Sequence, residues 1–238
     1  MNPIVVIPAR MASARLPGKP LADIAGRPMI AWMAEIAAKA QCGPVLVAAA
    51  EQTIADAARA AGAEAVLTDP ALPSGSDRMH AALNAFDPGR RYDVALNLQG
   101  DMPTMAADDV AQALKALTSH ADIATLVSPS DSAAERDNPN LVKAIVAQDG
   151  RCLAFTRAPA PWGDGPIMRH VGIYAFRRDA LTRFVAAPPS PLELREKLEQ
   201  MRALEMGMTI MAGVIANFPK GVDSPEDLET ARAILARR

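Results

Sequence analysis

The chain has 238 residues, half of them hydrophobic, enough to bury the core of one large domain or of a domain with a subordinate lobe. With 25 basic against 27 acidic side chains the formal net charge is -2, so no global field draws it to nucleic acid or to an anionic membrane, and any phosphate binding must be local. Aromatic residues at 4% are too few for base-stacking platforms, and two cysteines, Cys42 and Cys152, without CxxC or CxxH spacing require neither a disulfide framework nor a zinc site, so a reducing cytoplasm is expected.

The apolar, β-branched run 4–7, ending at Pro8, reads as a strand buried on both faces of a parallel sheet. It is too short for a signal-peptide core or a membrane span, and no later run is long enough either, so no membrane partner is expected. After a loop rich in glycine and proline, Ile30, Met33, Ala34 and Ala37 recur at helical spacing within 28–39, until Cys42-Gly43-Pro44 stops the pattern. A strand at 45–47, a helix at 52–61 closed by Gly62, a strand at 65–67, a strand at 93–98, a helix at 107–117 and a strand at 123–127 continue a βα winding to about residue 130. Beyond it, 142–147, 153–156 and 171–176 read as three strands separated by turn-rich segments without long helices, an antiparallel addition over the sheet. One helix is expected over 191–206, with Leu194, Leu198, Met201 and Leu204 on one face and Arg195 and Glu199 paired four apart. A strand at 210–214 and a helix at 224–235 close the chain, and no repeat or linker splits it. The fold class is therefore α/β: a mixed, mostly parallel sheet flanked by helices, with a smaller antiparallel lobe.

In open α/β sheets ligands bind beyond the carboxyl ends of the strands, and three such places carry polar residues. The loop 8–20 sets Arg10, Arg15 and Lys19 among Pro8, Ala9, Ala12, Ser13, Ala14 and Gly18; small side chains let backbone N–H groups approach an anion, and three cations can neutralise a triphosphate. It is neither GxGxxG nor GxxxxGK[ST], which disfavours a dinucleotide site and a P-loop; a solvated basic loop is the plain alternative. At Asn97-Leu98-Gln99-Gly100-Asp101 a buried strand delivers an amide and a carboxylate onto a glycine turn, where Asp101 either holds Mg²⁺ or merely shapes the turn. Asp223 stands before a good helix start, Ser224-Pro225 with acids in the first turn, and serves either that start or a metal. Ser74-Gly75-Ser76-Asp77-Arg78 can hydrogen-bond a base or simply cap a helix; Arg157, His170 and Tyr174 lie in the later, antiparallel part, where a cation and an imidazole can bind an anionic co-substrate or the histidine is simply a satisfied polar residue. His80 and His120 have no partner spacing, and no GxSxG elbow is present.

Together, the segments IPARMASARLPGKPLADIAGRPMI, SGSDR, NLQGD, FTRA with PW, RHVGIYAFRRDAL, PSPLELREKLEQMRALEMG and GVDSPEDLE resemble, from end to end, the 3-deoxy-manno-octulosonate cytidylyltransferases, or CMP-Kdo synthetases. The resemblance implies a Rossmann-like, nucleotide-diphospho-sugar transferase-like domain spanning 1–238, with 1–130 mainly binding nucleotide, 131–209 forming a sugar-binding and dimerisation lobe and 210–238 returning to the core. It implies CTP, a Kdo-type sugar acid and Mg²⁺, a cytoplasmic homodimer, and transfer of CMP to the anomeric hydroxyl of Kdo with release of pyrophosphate, for lipopolysaccharide biosynthesis. By the same resemblance Arg10, Lys19 and Asp101 are catalytic, and Pro8, Ala9, Arg10, Ser13, Arg15, Lys19, Ser74, Gly75 and Arg78 bind nucleotide. Asp101 and Asp223 hold metal, and Gln99, Arg157, His170, Tyr174, Glu199 and Gln200 face the sugar acid.

Three departures from the family's pattern stand out. Met102 replaces a usual glutamate after QGD and Ala49-Ala50 replaces a common Thr-Asp, both near the expected site, and the segment between Trp162 and Arg169 is short, which shortens a loop expected over the sugar pocket. These keep two alternatives open: a cytidylyltransferase for 8-amino-Kdo or a nonulosonic acid, and a nucleotide-binding homologue without turnover. A nicotinamide-dependent dehydrogenase lacks its glycine fingerprint.

Overall fold

The computed structural model describes residues 1–13 and 15–236, which fall into two compact units, Met1–Ala111 with Pro219–Arg238, and Gln112–Phe218. The first unit is built from β1 (Pro3–Ala9), the hairpin β2 (Asp23–Ile24) and β3 (Arg27–Pro28), α1 (Met29–Lys39), β4 (Val45–Ala49), α2 (Gln52–Ala60), β5 (Glu64–Leu67), α3 (Gly75–Phe86) and β6 (Val94–Leu98), and α4 (Ala107–Lys115) begins in it. Its strands lie in the order β6-β1-β4-β5, all parallel, with Val5 opposite Val45 and Pro3 opposite Val94. Ile4, Val5, Val6 and Ile7 are all fully buried, as expected of a strand covered on both faces, and each such side chain contributes about 1.5–3 kcal/mol by leaving water. The turn into β4 needs Gly43: its φ is 127°, and a β-carbon there would sit 2.1 Å from the Pro3 carbonyl oxygen.

The helix α3 begins where Ser74-Gly75-Ser76-Asp77-Arg78 offers a helix cap: the Ser74 hydroxyl accepts from the Asp77 N–H and donates to the Asp77 carboxylate at 2.6 Å.

The second unit contains β7 (Ile123–Ser130), α5 (Ala133–Asp137), β8 (Lys143–Val146), β9 (Cys152–Thr156), β10 (Ile167–Arg177), α6 (Arg178–Ala186), α7 (Pro191–Glu196), α8 (Gln200–Glu205) and β11 (Ile210–Val214). Here β11 runs parallel to β7, while the β7-β10, β10-β8 and β8-β9 pairs are antiparallel, so the three strands read after residue 130 do form the antiparallel part. The helix α6 follows the third of these strands, in a stretch to which the sequence pattern assigns no element: Ala180, Leu181 and Phe184 bury one face of it, and Pro188 and Pro189 follow its end.

The single helix expected over 191–206 is also corrected, since Lys197 takes the left-handed conformation at φ 56° and divides α7 from α8. The reason is a buried ion pair. Arg202 donates to both carboxylate oxygens of Glu193 at 2.6 and 2.7 Å, whereas residues nine apart on a straight helix stand about 13 Å apart on opposite faces. Arg202 also stacks 4.7 Å from the Phe184 ring. Leu194 is consequently 64% exposed while Leu198 and Met201 are buried, and the Arg195–Glu199 spacing no longer lies on one helix.

The last helix, α9 (Pro225–Leu235), starts with the expected Ser224 cap and a capping box closed by Asp227. It belongs to the first unit, where Leu228, Ala231 and Leu235 pack with Val222, Ile24 and Met29, and with partly buried Leu16, Ala22 and Trp32. That cluster anchors both the segment before α9 and the end of the basic loop. No helix among the described residues is long and apolar enough to cross a membrane.

Candidate active site

In the first unit a cavity of about 370 Å³ opens at the carboxyl ends of β1 and β6. The end of β1 contributes Pro8 and Ala9, with Arg10 just after it, and the loop beyond contributes Ser13, Arg15 and Lys19; the start of α3 contributes Ser74, Gly75 and Arg78. The turn after β6 contributes Gln99, Gly100 and Asp101, and the segment before α9 contributes Asp223. Every residue expected to bind nucleotide or metal therefore lines one cavity, and Gln99, expected to face the sugar, lines it too.

Backbone bonds give the loop its shape. Gly18 N–H donates to the Met11 carbonyl at 3.0 Å, and Met11 N–H donates to the Glu51 carboxylate at 3.0 Å. The Val222 N–H donates to the Asp101 carbonyl at 2.8 Å, which ties the segment carrying Asp223 to the end of β6. Gly100 passes close to β1: a β-carbon there would meet the Pro8 carbonyl oxygen at 3.1 Å.

Four of the charges that line the cavity pair with one another, and Arg10 and Arg78 add further positive charge. Lys19 Nζ donates to Asp101 Oδ2 at 2.8 Å and to Asp223 Oδ1 at 3.2 Å, and Arg15 pairs with the other Asp223 oxygen at 3.0 Å. Burial by itself would lower the Lys19 pKa, but the two carboxylates outweigh it and hold the ammonium above its ordinary range. Arg78 is buried, and its guanidinium donates to Thr68 Oγ1 at 2.6 Å and to the Asp69 and Pro70 carbonyls, so it fixes the 68–70 wall. Gln99 donates to buried Asn97 at 3.1 Å.

Asp101 and Asp223 converge on a single cation, the Lys19 ammonium, and this is the geometry that tests a metal. Mg²⁺, which takes one or two carboxylates and completes its shell with water and phosphate oxygens, fits such a pair of carboxylates.

The second unit carries the other residues expected to face the sugar acid, Arg157, His170, Tyr174, Glu199 and Gln200. His170 on β10 is buried between the edge of Phe155, 4.9 Å away, and the ring of Tyr174 at 5.5 Å, with Nε2 3.0 Å from Thr125 Oγ1. Burial pushes the imidazole down to about 3, and burial with the nearby Glu199 and Cys152 pushes the Tyr174 phenol well up, so both rings are neutral at working pH. Gln200 is buried at the start of α8.

Arg157 is held in place by its own donors. Nε reaches the Glu196 carbonyl at 2.9 Å, Nη1 the Pro139 carbonyl at 3.0 Å and the backbone N–H a Glu196 carboxylate oxygen at 3.0 Å.

Sequence reasoning missed three of the residues that build this second group. Lys143 is fully buried, and its ammonium donates to the carbonyls of Asn138, Leu141 and Arg157 at 2.8, 2.9 and 2.9 Å. A lysine inside the otherwise apolar run 142–147 was the available signal. Glu196 and Thr125 carried none, because a helix-surface acid and a β-branched strand residue are both ordinary. The short segment after Trp162 is gripped from α5, where Arg136 donates to the Pro161 and Gly165 carbonyls. Met102, Ala49 and Ala50 are buried, and none of the three lines the cavity.

A family model described as cytidylyltransferase matches residues 4–210. A 3-deoxy-manno-octulosonate cytidylyltransferase of Parvibaculum lavamentivorans is 57% identical over 242 residues, covering 100% of this chain and 94% of that protein. One from Rhodospirillum centenum is 55% identical over 243 residues, covering 100% and 95%. Among solved structures, a CMP:2-keto-3-deoxy-manno-octonic acid synthetase complexed with CTP matches with a TM-score of 0.93 at 36% identity, covering 100% of this chain and 99% of that one.

Proposed function

The chain belongs to the cytidylyltransferase family, among its 3-deoxy-manno-octulosonate members, and we propose that it transfers CMP from CTP to the anomeric hydroxyl of Kdo, releasing pyrophosphate. The observation that carries this reading is the first unit's cavity, where Lys19 bridges Asp101 and Asp223 with Arg10 and Arg15 alongside, in a chain matched over its full length by a CTP-complexed synthetase.

Phosphoryl-type transfer asks a protein chiefly for positioning and charge neutralisation, so a site without a nucleophilic side chain is sufficient. Arg10, Arg15 and Lys19 neutralise the triphosphate, with Lys19 exchanging carboxylate oxygens for phosphate oxygens as the nucleotide enters. Pro8, Ala9, Ser13, Ser74 and Gly75 set the cavity's close, small-residue walls, and Arg78 holds the wall at 68–70 against the nucleotide. Asp101 and Asp223 would hold Mg²⁺, which when bound supplies charge neutralisation at the phosphates and a lowered pKa for the attacking hydroxyl. Gln99, Arg157, His170, Tyr174, Glu199 and Gln200 bind and orient the sugar acid. On this reading the protein is a cytoplasmic homodimer supplying CMP-Kdo for lipopolysaccharide biosynthesis.

The test is pyrophosphate release from CTP with Kdo and Mg²⁺, with 8-amino-Kdo and sialic acid run in parallel. Release that requires Kdo supports the proposal; faster release with another acid reassigns the substrate. A silent assay alongside calorimetric CTP binding identifies a homologue without turnover.

A further inference from the structure

Thr125 on β7 points its hydroxyl into an irregularity of β10. The pairing of the two strands runs from Val171 opposite Leu126 directly to Tyr174 opposite Thr125, leaving Gly172 and Ile173 as extra residues in β10. Three groups surround the fully buried Thr125 Oγ1: the Ile173 carbonyl at 2.8 Å, the Val171 carbonyl at 3.2 Å and His170 Nε2 at 3.0 Å.

A hydroxyl has one proton, and a carbonyl can only accept. If Nε2 were also an acceptor, three lone-pair groups would compete for that proton and two would face the oxygen unbonded. With the proton on Nε2, the imidazole donates to Oγ1, Oγ1 donates to Ile173, and every close contact at or below 3.0 Å is a hydrogen bond.

We infer that Thr125 is a positioning residue that fixes His170 as its Nε2–H tautomer, so that Nδ1 is left as a lone-pair acceptor suited to a sugar hydroxyl and unsuited to a carboxylate. The neutral state of the buried ring agrees with this, since a single ring proton taken by Nε2 leaves Nδ1 bare. The groups packed on the imidazole, Thr125, Phe155 and Tyr174, are all uncharged. The sugar-acid carboxylate must then be met by a cation elsewhere. Both the sugar hydroxyl given to Nδ1 and the cation given to the carboxylate rest on the proposed function; the tautomer is a property of the ligand-free protein.

The experiment is a long-range ¹H–¹⁵N spectrum of the ligand-free protein, His170 being identified by loss of its signals in His170→Gln. The expected result is an Nε2–H pattern that does not titrate between about pH 5 and pH 8. Thr125→Val should lose the fixed tautomer and Thr125→Ser should keep it. In turnover, Thr125→Val should raise KM for the sugar acid about three- to tenfold, the worth of one hydrogen bond, with KM for CTP unchanged and Thr125→Ser close to the parent. An Nδ1–H pattern in the parent, titration near the ordinary histidine value, or an unchanged tautomer in Thr125→Val overturns the inference. A fixed Nε2–H tautomer with no change in sugar KM overturns its substrate half. A fixed tautomer in a protein with no cytidylyltransferase activity counts against the proposed function alone.

Discussion

Replacing Asp101 with asparagine keeps the shape of the side chain and removes one charge from a balanced set. In the ligand-free cavity Lys19 and Arg15 face Asp101 and Asp223, and the closest contact, 2.8 Å, joins the Lys19 ammonium, 15% exposed, to the Asp101 carboxylate, 28% exposed. A charge-assisted hydrogen bond of that partial burial is worth about 1–2 kcal/mol, so Asp101→Asn should lower Tm by roughly 2–8 °C. Asp223→Asn should cost less than about 1 kcal/mol, because its carboxylate is 44% exposed.

Binding and turnover should move in opposite directions. Removing a negative charge from the wall of a water-filled cavity favours an entering anion by about 1 kcal/mol, the scale of one unit-charge interaction at short range in water, or about fivefold in Kd. Calorimetry with metal-free CTP at low salt should therefore find Asp101→Asn binding at least as tightly as the parent. Its turnover with Mg²⁺ should fall about 10²- to 10³-fold, the usual cost of losing one electrostatic contributor to the transition state. Tenfold weaker metal-free CTP binding, or turnover within threefold of the parent, would refute the assignment of Asp101 as a metal carboxylate.

Two further outcomes follow from the second unit. Lys143→Met removes an ammonium that donates to three carbonyls, one of them that of Arg157; a loss of about 2–3 kcal/mol is expected by urea denaturation, with a raised KM for the sugar acid and little change for CTP. For His170 the folded pKa, about 3, lies below the ordinary 6.5, so the unfolded chain binds the extra proton between these values. The contribution of the neutral buried ring is complete above about pH 6.5 and is lost as the pH falls towards 3, by up to about 1.4 kcal/mol per unit. Urea midpoints followed from pH 7 to pH 4 should drop less steeply for His170→Gln than for the parent, and parallel profiles would exclude this source of acid lability.

The sequence by itself determined the βα winding, because an apolar run such as 4–7 can be satisfied only between two covered faces, and because Ser224-Pro225 and Gly62 write helix ends locally. It also determined the inventory of the first unit's cavity: loop 8–20, Asp101 and Asp223 each stand just beyond a strand or before a helix, where ligands of open α/β sheets bind. Their meeting was decided by tertiary structure. The Val222 to Asp101 bond and the packing of α9 on Ile24 and Met29 bring Asp223 to Lys19, and no local spacing encodes that contact. The same holds for the break at Lys197, where helical periodicity ran on through 191–206 but the buried Glu193–Arg202 pair required the chain to fold back. It holds most of all for Lys143 and Thr125. A lone lysine and a lone threonine in apolar strands acquire their roles only when folding closes carbonyls and an imidazole around them, since the hydrogen bonds they make join residues that local sequence leaves unrelated.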